Sequence, residues 1–168
     1  MNHTELRAQL AELHALSFGW ALSCCCGDHA MADDVLQNAY VKVLDGSAQF
    51  GGKSAFKTWL FGLIRNAARE ERRRQLLRAT GLLRYEPLRS ASIDPECALS
   101  QKESCQRVLL ALRALSPRQR EVLHLVFYQD FTIEQASKVM HVSLGSARKH
   151  YQRGKEQLRK RLEEGPYE

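Results

Sequence analysis

The sequence predicts an all-α protein made of two small helical domains joined by a flexible linker. Three observations carry that expectation. Apolar residues recur at i, i+3 and i+4 along much of the 168-residue chain, while four prolines and few β-branched runs leave little material for sheet. Charge comes in blocks: Lys/Arg minus Asp/Glu is −4 over residues 1–50, +7 over 51–84, −2 over 85–100 and +5 over 101–168. Two basic blocks, each preceded by an acidic stretch, point to two polyanion-facing surfaces on separate domains. Finally, Leu115 to Leu162 reads as short helix, tight turn, long helix, which is a helix-turn-helix.

In chain order, Thr4 to about Cys26 forms the first helix, with Leu6, Leu10, Leu13, Phe18 and Leu22 at helical spacing. Its run from Leu13 to Cys26 carries no formal charge. That run is too short to cross a bilayer. It also follows Glu5 and Glu12 rather than the positive start of a secretory signal, so it reads as a buried helix of a cytoplasmic protein with no membrane insertion. Asp28 caps a second helix that turns Val35, Leu36, Ala39, Tyr40 and Val43 inward and Asp34, Gln37 and Asn38 outward, and Gly46 ends it. The loop QFGGKS follows, and then a third amphipathic helix with Phe56, Leu60, Leu63, Ile64 and Ala67 on one face. Arg65, Arg69, Arg72 and Arg73 are expected on the opposite face.

Periodicity fades between Leu76 and Asp94, which places the domain boundaries at 1–78, a linker at 79–94 and a second domain at 95–168. A helix from Glu96 to Leu115 opens that second domain, with Leu99, Val108, Leu109 and Leu112 expected inward. Ser116 is a good N-cap and Pro117 suits the first helical position. Val122, Leu125 and Val126 mark the buried face, and Gln129 and Asp130 break it. Thr132 caps the next helix, whose stripe is Ile133, Ala136, Val139 and Met140. After a turn at His141 and Val142, Ser143 caps the long helix, which carries Leu144, Ala147, Tyr151, Leu158 and Leu162 on its inner face. Lys149, Gln152, Arg153 and Lys160 point away from that face and Arg148 sits on its flank. Seven Lys/Arg against one acid between Gly145 and Arg161, on the second helix of a helix-turn-helix, make a DNA-facing surface.

The residues that could carry other chemistry are few. Cys24, Cys25, Cys26, Cys97 and Cys105 are read as free, packed thiols. Cys25, Cys26 and His29 match no standard zinc spacing, so no metal and no cofactor are expected. The sequence has no phosphate-binding glycine motif and no recognisable nucleophile constellation, so the expectation is not an enzyme.

The stretches LSPRQREVLHLVFYQDFTIEQASKVM and VSLGSARKHYQRGKEQLRKRL, with the spacing between them, resemble region 4 of extracytoplasmic-function (ECF) sigma factors. MADDVLQNAYVKVL is similar to the region 2 helix of that family that docks on RNA polymerase. FGGKSAFKTWLFGLIRNAAREERRR is similar to the segment that opens and reads the promoter −10 element. The resemblance implies an alternative sigma factor that binds core RNA polymerase and directs promoter-specific initiation, with promoter DNA and a cognate anti-sigma factor as further partners. It implies polymerase contact through Asp33, Asp34, Gln37 and Asn38, although Met31 stands where the family usually has a further acid. It implies −10 contact through Phe50, Lys53, Ser54, Phe56, Lys57, Arg65, Asn66, Arg69 and Arg72, the loop 50–56 forming a pocket for an unstacked base. Trp59, close by, is read as core packing. On the −35 side it implies Arg148, Lys149, Gln152 and Arg153, with Arg159 and Lys160 on phosphates. The alternative is a self-sufficient helix-turn-helix regulator with a cysteine-based sensing domain at its N-terminus.

Overall fold

A computed structural model describes residues 3–80 and 99–163, which contain eight α-helices and no strand. They belong to two compact units, residues 1–92 and 93–168. The helix α4 (Phe56–Ala79) runs one residue into the expected linker, and linker residues 81–94 lie outside the described residues. Among the described residues, no helix is long and apolar enough to cross a membrane.

The first unit holds α1 (His3–Glu12), α2 (His14–Cys24), α3 (His29–Leu44) and α4. The single helix expected at the start is divided only at Leu13, whose N–H still reaches Gln9 O at 3.1 Å and whose carbonyl still accepts from Ser17 N at 2.8 Å. Its buried face is Leu10, Ser17, Trp20 and Ala21, while Leu6, Leu13, Phe18 and Leu22 are only half-buried. Trp20 is the organising side chain. Its Nε1–H donates to the Phe61 carbonyl at 2.9 Å, and its ring stacks on that of Phe61 with centroids 6.0 Å apart. In α3 the Asp28 carboxylate accepts from Met31 N–H at 3.0 Å, and Met31, Ala32, Val35, Leu36, Ala39 and Val43 are buried, with Tyr40 half-buried. Met31 therefore sits on the core side of the helix, not on the face that carries the acids.

The second unit holds α5 (Leu99–Arg113), α6 (Pro117–Phe127), α7 (Ile133–Met140) and α8 (Leu144–Glu163). Its helices start where short-range chemistry dictates. Ser116 with Gln119, and Thr132 with Gln135, form reciprocal capping boxes, and Ser143 Oγ accepts from Ser146 N at 3.2 Å. His141 ends α7 in the left-handed region at φ 52°, a conformation the imidazole tolerates better than most side chains. Asp130, in the break between α6 and α7, is also left-handed, at φ 55°. The core gathers Leu115, Val122, Leu123, Leu125, Phe131, Ala136, Val139, Met140 and Ala147. The inward face expected of α5 is corrected: Val108 and Leu109 are 37% and 43% exposed, Leu112 is half-buried, and Ala111 is the buried residue. That helix packs chiefly on α8, so a narrow line of contact suffices. Leu99 lies outside the described side chains.

Gly154 of α8 is buried against α6, where an added Cβ would stand 3.2 Å from both Gln119 Cβ and Leu123 Cδ1. Gly154→Ala gains helix propensity of about 1 kcal/mol but needs both Leu123 and the Gln119 Cβ to give by a few tenths of an ångström, so it is expected to stay within ~1 kcal/mol of the native stability. Gly154→Val drives branched carbons into the same gap and is expected to cost about 1–3 kcal/mol. Amide hydrogen exchange in α6 and α8 measures both. Equal protection in the valine variant would mean that the two helices do not pack as described.

Candidate nucleic-acid and partner interfaces

In the first unit, the loop between α3 and α4 is shaped by two glycines with left-handed backbone, Gly46 at φ 79° and Gly52 at φ 68°. It delivers Phe50 onto the start of α4. There Phe50, Phe56 and Trp59 form an aromatic triangle with centroid separations of 5.4–5.5 Å. Phe56 is buried, whereas Phe50 and Trp59 are half-buried, so Trp59 both packs and faces outward. Phe50 and Trp59 also line a cavity of about 200 Å³ with Leu6, Val43, Gly46, Ala48 and Gln49. Aromatic faces, two aliphatic side chains, loop backbone and one amide make a mixed setting in which a planar heterocycle could stack.

Around the loop and along α4, Lys53, Asn66 and Arg69 are exposed, as is Arg73. Ser54 is half-buried and its hydroxyl donates to Ala55 O at 3.3 Å. Lys57 is half-buried, with its ammonium 5.6 Å from the Phe61 ring centroid. Two placements expected from the helical wheel are corrected. Arg65 is 1% exposed, inside the unit rather than on the outer face, because α4 is covered by both α2 and α3 and its buried arc is wide enough to take in Thr58, Gly62 and Arg65. Arg72 is half-buried, and its NH2 donates to the carbonyl of Cys24, 48 residues away in sequence. Further along, Arg74 pairs with Glu70 at 2.8 Å and Arg78 with Glu71 at 3.6 Å.

On α3, Asp33, Asp34, Gln37 and Asn38 are all exposed. The same face continues to Val41, which is 58% exposed, an apolar residue in the middle of an acidic and polar stripe. Sequence reasoning passed over Val41, although its spacing from Asp34, Gln37 and Asn38 follows the i, i+3, i+4, i+7 rule.

The cysteines diverge. Cys25 is buried, and burial pushes its thiol up to about 12, whereas Cys24 is half-buried and Cys26 exposed. Among the described residues, no three His, Cys, Asp or Glu side chains stand where they could share a metal ion.

In the second unit, Arg148, Lys149, Gln152, Arg153 and Lys160 are exposed along α8. Arg159 is exposed too and pairs with Glu163 at 2.6 Å, a surface contact that a phosphate could replace. Arg118 of α6 donates to Met140 O at 3.0 Å, tying α6 to the carboxyl end of α7 just before the turn into α8. Beside this face, Phe127 and Tyr128 are 58% and 68% exposed. Phe127 stacks with Tyr151 at 6.1 Å, and Lys155 lies 5.3 Å from the Tyr151 centroid. Those aromatics end a helix whose last turn is only partly covered, a feature that apolar periodicity does not distinguish from core.

Family models match both units: Sigma-70 region 2 over residues 10–77, and Sigma-70, region 4, over residues 105–158. The chain is 31% identical over 136 residues to the RNA polymerase sigma factor CarQ of Myxococcus xanthus, covering 80% of this chain and 76% of the relative. It is 28% identical over 141 residues to the ECF RNA polymerase sigma factor SigX of Bacillus subtilis (strain 168), covering 81% and 73%. Among solved structures, the sigma factor RpoE in complex with the anti-sigma factor NepR from Bartonella quintana has a similar fold, with a TM-score of 0.73, 23% identity and 95% and 97% of the two chains covered. CnrH in complex with the cytosolic domain of CnrY is similar at a TM-score of 0.68 and 19% identity, with 98% and 91% covered.

Proposed function

This chain belongs to the ECF RNA polymerase sigma factors, and from that premise we propose how its residues divide the work. It is an alternative sigma factor that binds core RNA polymerase and directs promoter-specific transcription initiation. The exposed stripe of α3, Asp33, Asp34, Gln37 and Asn38, docks on polymerase. The loop Phe50–Phe56 with Asn66 takes a base of the melted −10 strand, and Lys53, Lys57 and Arg69 follow its phosphates. Arg148, Lys149, Gln152 and Arg153 read duplex −35 DNA in the major groove, and Arg159 and Lys160 hold its backbone. The observation that carries this division is the aromatic cluster of Phe50, Phe56 and Trp59 at the start of α4 in one unit and the cationic helix-turn-helix face in the other. Aromatic faces can stack an unpaired base, and a cationic recognition helix can enter a major groove.

The work is binding and strand opening, with no covalent chemistry assigned to any residue. A cytoplasmic location follows from acting on a bacterial-type polymerase. A cognate anti-sigma factor is proposed as a partner because the structural relatives RpoE and CnrH were each solved with a bound protein. We place the linker at 79–94, between the two matched regions.

The test is in vitro transcription against promoter libraries randomised separately at −10 and −35. An arginine bidentate to guanine is worth about 1–3 kcal/mol of discrimination. Arg153→Ala is expected to relax preference at one −35 position, with ~5- to 100-fold loss of discrimination there. Asn66→Ala is expected to change −10 preference or opening and leave −35 preference intact. A shift by both variants at the same element would end the proposed division.

A further inference from the structure

We propose that Arg72 is a positioning residue for polymerase docking, a clamp that fixes the start of α3 to α4, and not a phosphate contact. This rests on the reading of α3 as the docking helix.

Arg72 belongs to the same basic series as Arg69 and Arg73, yet its guanidinium does not face outward with theirs. Its NH2 donates to the carbonyl of Cys24 and lies 3.7 Å from the sulfur of Cys26. Cys24 is the last residue of α2, so its carbonyl is one of the final-turn acceptors that a helix leaves without an intrahelical donor. A cation there also meets the negative end of the helix dipole.

The clamped segment is a turn in an unfavourable conformation. Cys26 has φ 58° and Gly27 φ 90°, and only glycine takes that region without cost. Cys25 plugs the turn from below at 3% exposure. Asp28 follows at once and caps α3, accepting from Met31 N–H. Packing on α4 and α2 holds α3 along its length, and the tie at the turn adds to this where the helix begins. Asp33 and Asp34 stand in the next turn and a half of the same helix.

A second tie from α2 to α4, Trp20 to the Phe61 carbonyl, lies a full turn earlier in α2. It secures the packing of the two helices but does not reach the turn. Losing Arg72 is therefore expected to re-aim the first turns of α3 while α2 stays packed. A phosphate-binding arginine would behave differently: its loss lowers the salt dependence of DNA binding, by roughly 0.7–0.9 in log–log slope per contact.

The experiment uses the full chain. Affinity for core polymerase is measured by competition for wild type, Arg72→Gln, Arg72→Lys, Trp20→Phe and Asp34→Lys. The salt slope for a forked promoter with a melted −10 strand is measured on holoenzyme for wild type, Arg72→Gln and Arg69→Gln. We expect Arg72→Gln to weaken polymerase binding about tenfold, the weight of one charge-assisted hydrogen bond. The lysine variant, still able to donate to the Cys24 carbonyl, should recover much of that loss. Trp20→Phe should bind polymerase like wild type even though its unit melts at a temperature at least as low as that of Arg72→Gln. The salt slope should stay unchanged in Arg72→Gln and fall in Arg69→Gln.

A lowered slope with unchanged polymerase affinity in Arg72→Gln overturns the clamp in favour of a phosphate contact. Equal loss of polymerase affinity in Trp20→Phe and Arg72→Gln overturns it in favour of fold stability alone. Weak binding by Asp34→Lys beside native affinity for Arg72→Gln removes the clamp and keeps the docking face. Native affinity for Asp34→Lys removes the docking face itself.

Discussion

Trp20→Ala is expected to lower the stability of the first unit by about 3–5 kcal/mol, the range for deleting a large buried aromatic. The residue is 0% exposed, stacks on Phe61 and donates to its carbonyl, so the variant loses packing, ring contact and a satisfied buried acceptor together. Domains of this size have net stabilities of roughly 5–15 kcal/mol, so such a loss approaches the whole margin. The sequence contains two tryptophans, and in this variant Trp59 becomes the sole reporter, in the same unit. Urea unfolding followed by its fluorescence should show a midpoint lower by about 2 M at a slope of roughly 1–3 kcal/mol/M. Protection of amides in α6–α8 should not change, because they belong to the other compact unit. A midpoint within experimental error of wild type would mean that Trp20 does not organise the α2–α4 contact.

Acidification should unfold the second unit earlier than its carboxylates alone would require. His124 lies on α6 with its ring stacked on Tyr128 at 5.3 Å and its Nε2 3.3 Å from Gln129 Nε2. Burial pushes its pKa from 6.5 down to about 4. The unfolded chain therefore takes up a proton below about 6.5 that the folded unit refuses until about 4. The stability tied to this group is complete above pH 6.5 and is lost as pH falls toward 4. Its full size is about 3 kcal/mol, from 1.36 kcal/mol per pKa unit. His124→Gln removes the titration while keeping a polar group at the site. Exchange protection of α6 and α8, corrected for intrinsic rates, should fall less between pH 7 and pH 4.5 in the variant than in wild type. Parallel losses in the two proteins would show that His124 is freely protonated in the folded state.

Local chemistry was legible in the sequence because it depends on few neighbours. Ser116, Thr132, Ser143 and Asp28 all cap the helices assigned to them, and His141 takes the left-handed turn, since each outcome is decided within four residues. Polarity of α3 was legible for the same reason, with one apolar stripe and one polar stripe on a helix of sixteen residues. What a wheel cannot supply is the number of helices that cover a given one. α4 is embraced by α2 and α3, so the buried arc swallows Arg65, while α5 leans chiefly on α8, so Val108 and Leu109 stay outside. The cavity beside Phe50 was illegible for a related reason. Its walls come from α1, α3, the loop and α4 at once, and only the tertiary fold brings Leu6 to Trp59.

The long-range ties of the first unit also set a clock on its synthesis. The Trp20–Phe61 and Cys24–Arg72 hydrogen bonds join residues 41 and 48 positions apart. Helix α3 lies wholly between their ends, so it leaves the ribosome before either tie can close. At ~5–20 residues per second, the 48 positions from Cys24 to Arg72 take roughly 2–10 s to translate. During that interval the nascent chain holds α3 without the helix it packs against. The packing of the first unit is therefore completed late, with the last turns of α4, and a ribosome stalled before Arg72 would leave the Cys24–Arg72 tie open.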